Sequence, residues 1–423
     1  MDPRQQELKL GFNNGGISSE RRISIHDYEN DAEVNETRIK QRASGPVLQH
    51  LQTQCLASLD CLKLSCGATI QGMGILYQCF GGSGSPRRKQ PSTTVEDLCH
   101  RFSLAQLRES TDDFDGSRFI GEGPYGVAYR GCISIDGQLK DIAVKRLRQP
   151  ESYGISLCKN EIIFMCQLRH PNLLSLVGFC DDRNEMIVVY DYAPNRSLYH
   201  QIHGIDSNSP IKPWKKRLEI SIGVARGLHY LHSGTKRTVI HRHITSAAIL
   251  LGENWVPKLG YFGLSLKGPK FSARDAKPIK LESIEGPWVY TAPECLRATN
   301  VTYKSDVFSF GVVLLELVCG KTLSQISEHE WRQVENTADF FQFTMSVVEK
   351  VRDLAGTGRA EGIIDESLVG EIGRGCWKLY MDITESCLNE DPNERPDMGD
   401  VEVQLERLLQ LQEDADSNNI MIP

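Results

Sequence analysis

His241-Arg-His-Ile-Thr-Ser-Ala-Ala-Ile-Leu-Leu251, followed shortly by Tyr261-Phe-Gly263, is the stretch on which the reading of this chain turns. Its spacing is that of two linked motifs, H-R-D-x-x-x-x-N and D-F-G, whose polar side chains serve as a base and as magnesium ligands. The spacing is kept and those side chains are not. His243 stands at the position of the base Asp, Ala248 at that of the Asn, and Tyr261 at that of the second Asp. The reaction such groups serve, phosphoryl transfer, is mostly positioning plus cancellation of charge by the metal. Magnesium asks for hard oxygen ligands in octahedral geometry, which a methyl group does not supply and a neutral phenol supplies poorly. His243 keeps a ring nitrogen that would accept a proton near neutral pH, so the base alone has a substitute. Loss of both metal positions is the heavier loss, because metal clamping contributes several kcal/mol to a transition state. No bound metal and no working catalytic residue are expected.

Outward from that stretch, the upstream residues supply a matching frame. Gly121-Glu122-Gly123-Pro-Tyr-Gly126 is a glycine-rich turn that a dinucleotide site would share. A helix would then have to follow, whereas Val-Ala128-Tyr-Arg-Gly-Cys-Ile and Ile142-Ala143-Val-Lys145 are strand-like. Glu161 lies in the run 157–168, whose apolar positions recur at helical period. Residues 185–192 form an apolar strand ending in Tyr190-Asp-Tyr192, and Ala193-Pro-Asn-Arg-Ser-Leu198 then behaves as a hinge. Residues 102–114 suggest a short lead-in helix and 214–232 a long amphipathic one. The segment 261–294, with Gly268, Pro269, Pro278 and Pro287, should be a loop. Residues 308–319 are apolar but too short to cross a bilayer and contain Glu316, so they read as a buried core helix.

Composition narrows the function classes. The 423 residues carry a net charge of -7, which leaves no footprint for nucleic acid. Thirteen cysteines, an odd number without a secretory signal, suggest reduced thiols. Cys55, Cys61 and Cys66 lack a second ligand pair at zinc spacing. The nearest approach to a membrane span, 64–80, is interrupted by Ser65, Thr69, Gln71, Gln78 and glycines. The expected organisation is a disordered extension over 1–101, a small lobe with its lead-in helix over 102–192, a large lobe over 193–412, and a disordered tail over 413–423. Within the extension, a start at Met73 would expose Gly74, with Cys79 and Arg87-Arg-Lys89 nearby, as acylation and electrostatic signals for peripheral attachment to a membrane.

Taken together, 114–413 resembles the kinase domain of plant receptor-like kinases, and it is most similar to the FERONIA-type (malectin-like) group. Beyond the motifs above, the similarity rests on Arg217-Leu-Glu-Ile-Ser-Ile-Gly-Val-Ala-Arg-Gly-Leu-His-Tyr-Leu-His232, on Gly263-Leu-Ser-Leu-Lys-Gly-Pro269 and on Arg395-Pro-Asp-Met-Gly-Asp-Val401. The resemblance implies an α+β, two-lobed protein kinase fold, with a β-rich small lobe holding one helix and a larger helical lobe. It implies an ATP site formed by Gly121, Glu122, Gly123, Gly126, Ala128, Ala143, Lys145, Glu161, Tyr190, Tyr192 and Leu250. Lys145 would pair with Glu161, Tyr190 would guard the pocket, Tyr192 would sit on the hinge and Leu250 under the base. Asp306 would support the 241–243 backbone and Glu294 would pair with Arg395. Arg242 would meet a phosphate on Ser272, Ser283 or Thr291.

Departures from the family pattern go beyond the three replaced side chains. Thr245 replaces the loop lysine, Ala128 a valine, and Gly286-Pro-Trp-Val-Tyr290 the segment that docks substrate. The ectodomain and membrane helix of those receptors are not found, so the expectation is a stand-alone cytoplasmic relative, placed at the inner face of the plasma membrane if acylated. Two functions follow: a pseudokinase that binds ATP weakly at most and scaffolds active receptor-like kinases or other signalling proteins, or a low-activity serine/threonine kinase.

Overall fold

Alternation along two central strands places the cleft. The computed structural model describes residues 98–123, 126–135, 137–147, 152–182, 185–203, 211, 213–271, 276–326, 337–357 and 364–418. Strands β1 (His100–Arg101), β2 (Phe119–Gly123), β3 (Gly126–Ile135), β4 (Gln138–Leu147), β5 (Leu176–Cys180) and β6 (Ile187–Asp191) form one six-stranded sheet, ordered β1-β5-β6-β4-β3-β2. Successive side chains in a strand face opposite ways. Ile142, Val144, Ile187 and Val189 therefore join Phe102, Leu104, Leu107 and Phe114 in a core on the outer face. Ala143, Lys145, Val188 and Tyr190 face the other side. The first α-helix, α1 (Leu104–Ser110), covers that outer core. It starts at a capping box in which the Ser103 hydroxyl and the Gln106 side chain satisfy each other's backbone N–H.

The second helix, α2 (Ser152–Met165), packs on the cleft side of the sheet through Cys158, Ile162 and Met165, a helical spacing. In the larger lobe, α3 (Leu198–His203) and α4 (Trp214–Ser233) lead to β7 (Val239–Ile240). The hairpin β8 (Ile249–Leu251)–β9 (Pro257–Leu259) and β10 (Leu266–Lys267), which pairs with β7, come next. Strand β11 (Ile279–Lys280) then pairs with β12 (Asn300–Val301), with α5 (Pro293–Ala298) before β12. Helix α6 (Tyr303–Cys319) has all 17 residues buried, and its polar members Lys304, Ser305, Asp306, Ser309 and Glu316 are each hydrogen-bonded. It begins at a Thr302/Ser305 capping box and stops at Gly320 in the left-handed region, φ 64°. The fold closes with α7 (Leu323–Ile326), α8 (Thr337–Thr357), α9 (Arg374–Cys387) and α10 (Met398–Asn418). This is the expected α+β two-lobed arrangement.

Two expected boundaries need correction. Residues 98–101, assigned to the disordered extension, are ordered: His100 pairs with Gly178 in parallel, and the Arg101 Nε donates to Asp181 at 2.7 Å. Gly178 permits this pairing, since a Cβ there would collide with the His100 carbonyl. The tail expected from 413 is helical as far as Asn418. Its polar residues are the outer face of α10, fixed by the buried Gln412, which accepts from Gly373 N at 2.9 Å, and by a Lys215–Glu413 ion pair of 2.6 Å. The expectations for 1–97, including 64–80 and the Met73-Gly74 signals, lie outside the described residues. Among the described residues no helix is long and apolar enough to cross a membrane, and Cys99, Cys132, Cys158, Cys166, Cys180, Cys295, Cys319, Cys376 and Cys387 are free thiols.

Candidate functional site

The deciding stretch is suspended from α6. The buried Asp306 carboxylate accepts from His241 N and Arg242 N, both at 2.8 Å, and from His232 Nε2 at 3.0 Å. These bonds hold Arg242 at φ 67°, a left-handed position that an L-residue adopts at a cost. His243 N donates to His241 Nδ1 at 3.2 Å, so the proton of the His241 ring lies on Nε2, which donates to Gly260 O at 2.9 Å. Burial keeps that ring below its ordinary pKa, in its neutral form. Thr245 Oγ1 accepts from Ala248 N at 3.0 Å, a local bond where a lysine would have reached outward. The frame is thus held by bonds to the backbone that do not involve the side chains at 243, 248 and 261.

Of those replaced side chains, Tyr261 lines the cleft between the lobes and His243 borders a separate small pocket beside Glu285 and Pro287. The His243 ring lies 6.0 Å from the Tyr261 ring, and its Nδ1, beside Gly286, has no partner among the described residues. Burial, helped by His241 and Lys145, pushes the His243 imidazole down to about 3. The expectation that His243 could accept a proton near neutral pH is therefore corrected: at that pH it is a neutral, very weak base. Tyr261 is itself left-handed, φ 63°, and turns the face of its ring to the Lys145 ammonium at 4.8 Å, a favourable cation–π arrangement. Ala248 is buried and offers only a methyl. A methyl, a phenol and an imidazole do not make an octahedral oxygen site, and no group of three or more metal-ligating side chains occurs among the described residues. Magnesium does not fit this donor set.

Lys145 and Glu161 are brought together as the sequence implies, 3.6 Å apart, with Glu161 almost wholly buried. Burial alone would lower the lysine pKa; the Glu161 carboxylate overrides it and holds the ammonium above its usual range. Glu161 also accepts from Phe262 N at 3.3 Å. Its neighbour Asn160, which sequence reasoning passed over, donates to Gly263 O and Ser265 O at 2.7 and 2.9 Å. Helix α2 is in this way fastened to the Tyr-Phe-Gly segment, and the signal was a polar pair on the inward face of an amphipathic helix.

Between the lobes is a cavity of about 300 Å³. Of the residues implied for it, Gly121, Ala128, Ala143, Lys145, Glu161, Tyr190, Tyr192 and Leu250 line it. Glu122, Gly123 and Gly126 do not: they lie along the β2–β3 pairing, Glu122 opposite Val127 and Gly123 opposite Gly126. Pro124 and Tyr125 between them lie outside the described residues. Missed by the sequence reading were Tyr261 as a lining residue and Arg196, Ser197 and His200 at the outer rim.

Past the cleft, the Arg242 guanidinium donates to Leu264 O at 2.9 Å. Ser272 lies outside the described residues, and Thr291 Oγ1 donates to Pro287 O at 3.1 Å. Glu294 receives the Arg395 guanidinium on both oxygens, each at 2.8 Å, as implied. Tyr290 Oη donates to Glu316 at 2.8 Å and also meets Ser246 Oγ at 3.1 Å. Burial pushes Glu316 up to about 7, against the lowering effect of Ser246 and Tyr290. Folding therefore favours its protonated form. The stability it contributes is complete below the ordinary value of 4.5 and is lost as pH rises through about 7. Glu316→Gln keeps an acceptor for Tyr290 and cannot ionise, so denaturation midpoints should show the variant gaining on wild type across that window. A wild-type–variant difference that stays flat with pH would refute this.

The fold is that of a protein kinase domain. Residues 115–405 match the family described as protein tyrosine and serine/threonine kinase, and the chain belongs to it. Among its relatives in Arabidopsis thaliana, it is 40% identical over 339 residues to the receptor-like protein kinase ANXUR1, covering 78% of this chain and 37% of that one. It is 38% identical over 353 residues to the receptor-like protein kinase FERONIA, covering 80% of this chain and 36% of the relative. With the receptor-like protein kinase HERK 1 the identity is 40% over 314 residues, covering 74% and 35%. The chain thus matches little more than a third of the length of these curated relatives.

Proposed function

We propose that this chain is a kinase-family protein that no longer transfers phosphate and works as a signalling scaffold, pairing with an active receptor-like kinase or presenting a surface to another signalling protein. The observation that carries the reading is the replacement of two metal-ligand positions and a base: Ala248 is buried with only a methyl, Tyr261 lines the cleft with its ring on Lys145, and His243 is a very weak base. What remains, Lys145 on Glu161 and an apolar slot between Ala143 and Leu250, supports weak nucleotide binding without a metal. Its place of work is the cytoplasm, at the inner face of the plasma membrane where its partner receptors would sit. One observation favours the second reading, a low-activity serine/threonine kinase: the Lys145–Glu161 pair is formed.

Thermal-shift titration with ATP separates them, because a ligand that binds the folded state raises its apparent stability. The scaffold reading expects a small shift at millimolar ATP, equal with magnesium and with a chelator. A shift that appears only with magnesium would overturn it.

A further inference from the structure

One side of the molecule gathers cations without acids, although the chain as a whole carries a net charge of -7. Three stretches form it: 152–169 with helix α2, 230–243 with the end of α4 and β7, and 261–271 with β10. Their single acidic residue is Glu161, which is buried on Lys145. Their exposed cations are Lys159, Arg169, Lys236, Arg237, Lys267 and Lys270.

Contacts tie the three stretches into one face. Asn160, next to Lys159, donates to Gly263 O and to Ser265 O, two residues short of Lys267. Thr238 N donates to Pro269 O at 3.0 Å and Gly268 N to Thr238 O at 2.7 Å, which lays Lys236 and Arg237 alongside Lys267 and Lys270. Arg169 N donates to Tyr230 Oη at 3.5 Å, and the His170 ring stacks on the Tyr230 ring at 5.0 Å. Tyr230 O in turn accepts from Gly234 N, in the turn that leads to Lys236. Like charges facing across a ladder repel, and Lys236, Arg237 and Lys270 have no ion-pair partner among the described residues. A face so built calls for negative charge from outside.

Two further observations say what kind. Leu98, Tyr153 and Phe271, 38%, 41% and 37% accessible, are large apolar side chains left exposed in these stretches or at their edge. Apolar and aromatic bodies among cations suit the headgroup layer of a membrane. The N-terminal extension also enters at this face, where Leu98 O accepts from Arg169 Nη2 at 3.5 Å. Arg87-Arg88-Lys89 ends nine residues upstream of Leu98, a tether of at most about 30 Å.

We infer that this face docks on an anionic bilayer. The cations run along three elements with apolar side chains among them, which fits a sheet of charge better than a single phosphate. The inference rests on the placement at the inner membrane face proposed above, and not on the loss of phosphate transfer.

The test is co-sedimentation of the purified, unacylated full-length chain with vesicles of phosphatidylcholine alone, or of phosphatidylcholine with about a third phosphatidylserine. Binding should need phosphatidylserine and weaken with salt. It should fall at least about tenfold in Lys236→Gln/Arg237→Gln/Lys270→Gln, since each cation near such a surface adds to the attraction. That variant should have a Tm no lower than wild type, because it breaks no ion pair and thins like charges, so its lost binding would not be unfolding. Equal binding to both vesicles, full binding by the triple variant or no binding by wild type would overturn the inference. So would a loss confined to Arg87→Gln/Arg88→Gln/Lys89→Gln. A soluble glutamate-rich peptide captured through these residues, with vesicles left unbound, would put an acidic protein in place of the bilayer. In plant cells, a fluorescent fusion found at the plasma membrane while vesicle binding fails would leave the placement standing without this face. A wild-type fusion spread through the cytosol would overturn the placement as well.

Discussion

His243→Asp, Ala248→Asn and Tyr261→Asp, made together, should give measurable autophosphorylation, where each change alone gives none. The base without metal ligands leaves the phosphate charge unopposed, and one metal ligand without the other leaves magnesium loosely held. Metal clamping contributes several kcal/mol, and each 1.4 kcal/mol is a tenfold rate, so the triple variant should exceed any single variant by about a thousandfold. Tyr261→Asp also frees Lys145 from the ring now 4.8 Å away. It suits the left-handed backbone at φ 63° better than tyrosine does. Thr245 and the altered segment 286–290 should keep the rate below that of an intact kinase. Labelled phosphate counted on the protein after gel separation measures it, and robust incorporation by His243→Asp alone would contradict this account.

The largest expected loss of stability is at Asp306. Asp306→Ala removes the acceptor of His241 N, Arg242 N and His232 Nε2 at once, all of them buried or half-buried. Leaving such groups unpaired costs about 3–5 kcal/mol in comparable buried sites. The Arg242 backbone at φ 67° loses what holds it as well. Urea denaturation should show a midpoint falling in that proportion with little change in slope. A loss under about 1 kcal/mol would mean that the stretch is held by packing and not by this carboxylate.

Both results bear on what a sequence of this kind displays. Helix α6 was legible because an apolar run led by Ser305 and Asp306 has no other place than a core. The cleft face of β4 was legible because alternation separates Ala143 and Lys145 from Ile142 and Val144. The substitutions at 243, 248 and 261 were legible because their spacing is rigid. Their consequences were not. That Tyr261 turns its ring to Lys145 depends on a left-handed backbone, and that His243 falls to about 3 depends on burial beside His241 and Lys145. Neither quantity is local in sequence. Arg196 escaped notice for the same reason: nothing in Ala193-Pro-Asn-Arg-Ser-Leu198 marks it as left-handed, at φ 59°, or as a rim residue. The end of α10 was missed because beyond Leu411 its outward face is all that the composition displays, while the contacts that order it, Lys215 and Gly373, lie far away along the chain.

The central claim is that a complete kinase frame here surrounds a cleft without its chemistry. Single-turnover incubation of the purified wild-type chain, in excess over labelled ATP, with magnesium and separately with manganese, tests it most directly. The account predicts no phosphate on serine, threonine or tyrosine and no ATP hydrolysis above the rate in buffer. Stoichiometric incorporation that is lost in Lys145→Met would contradict it.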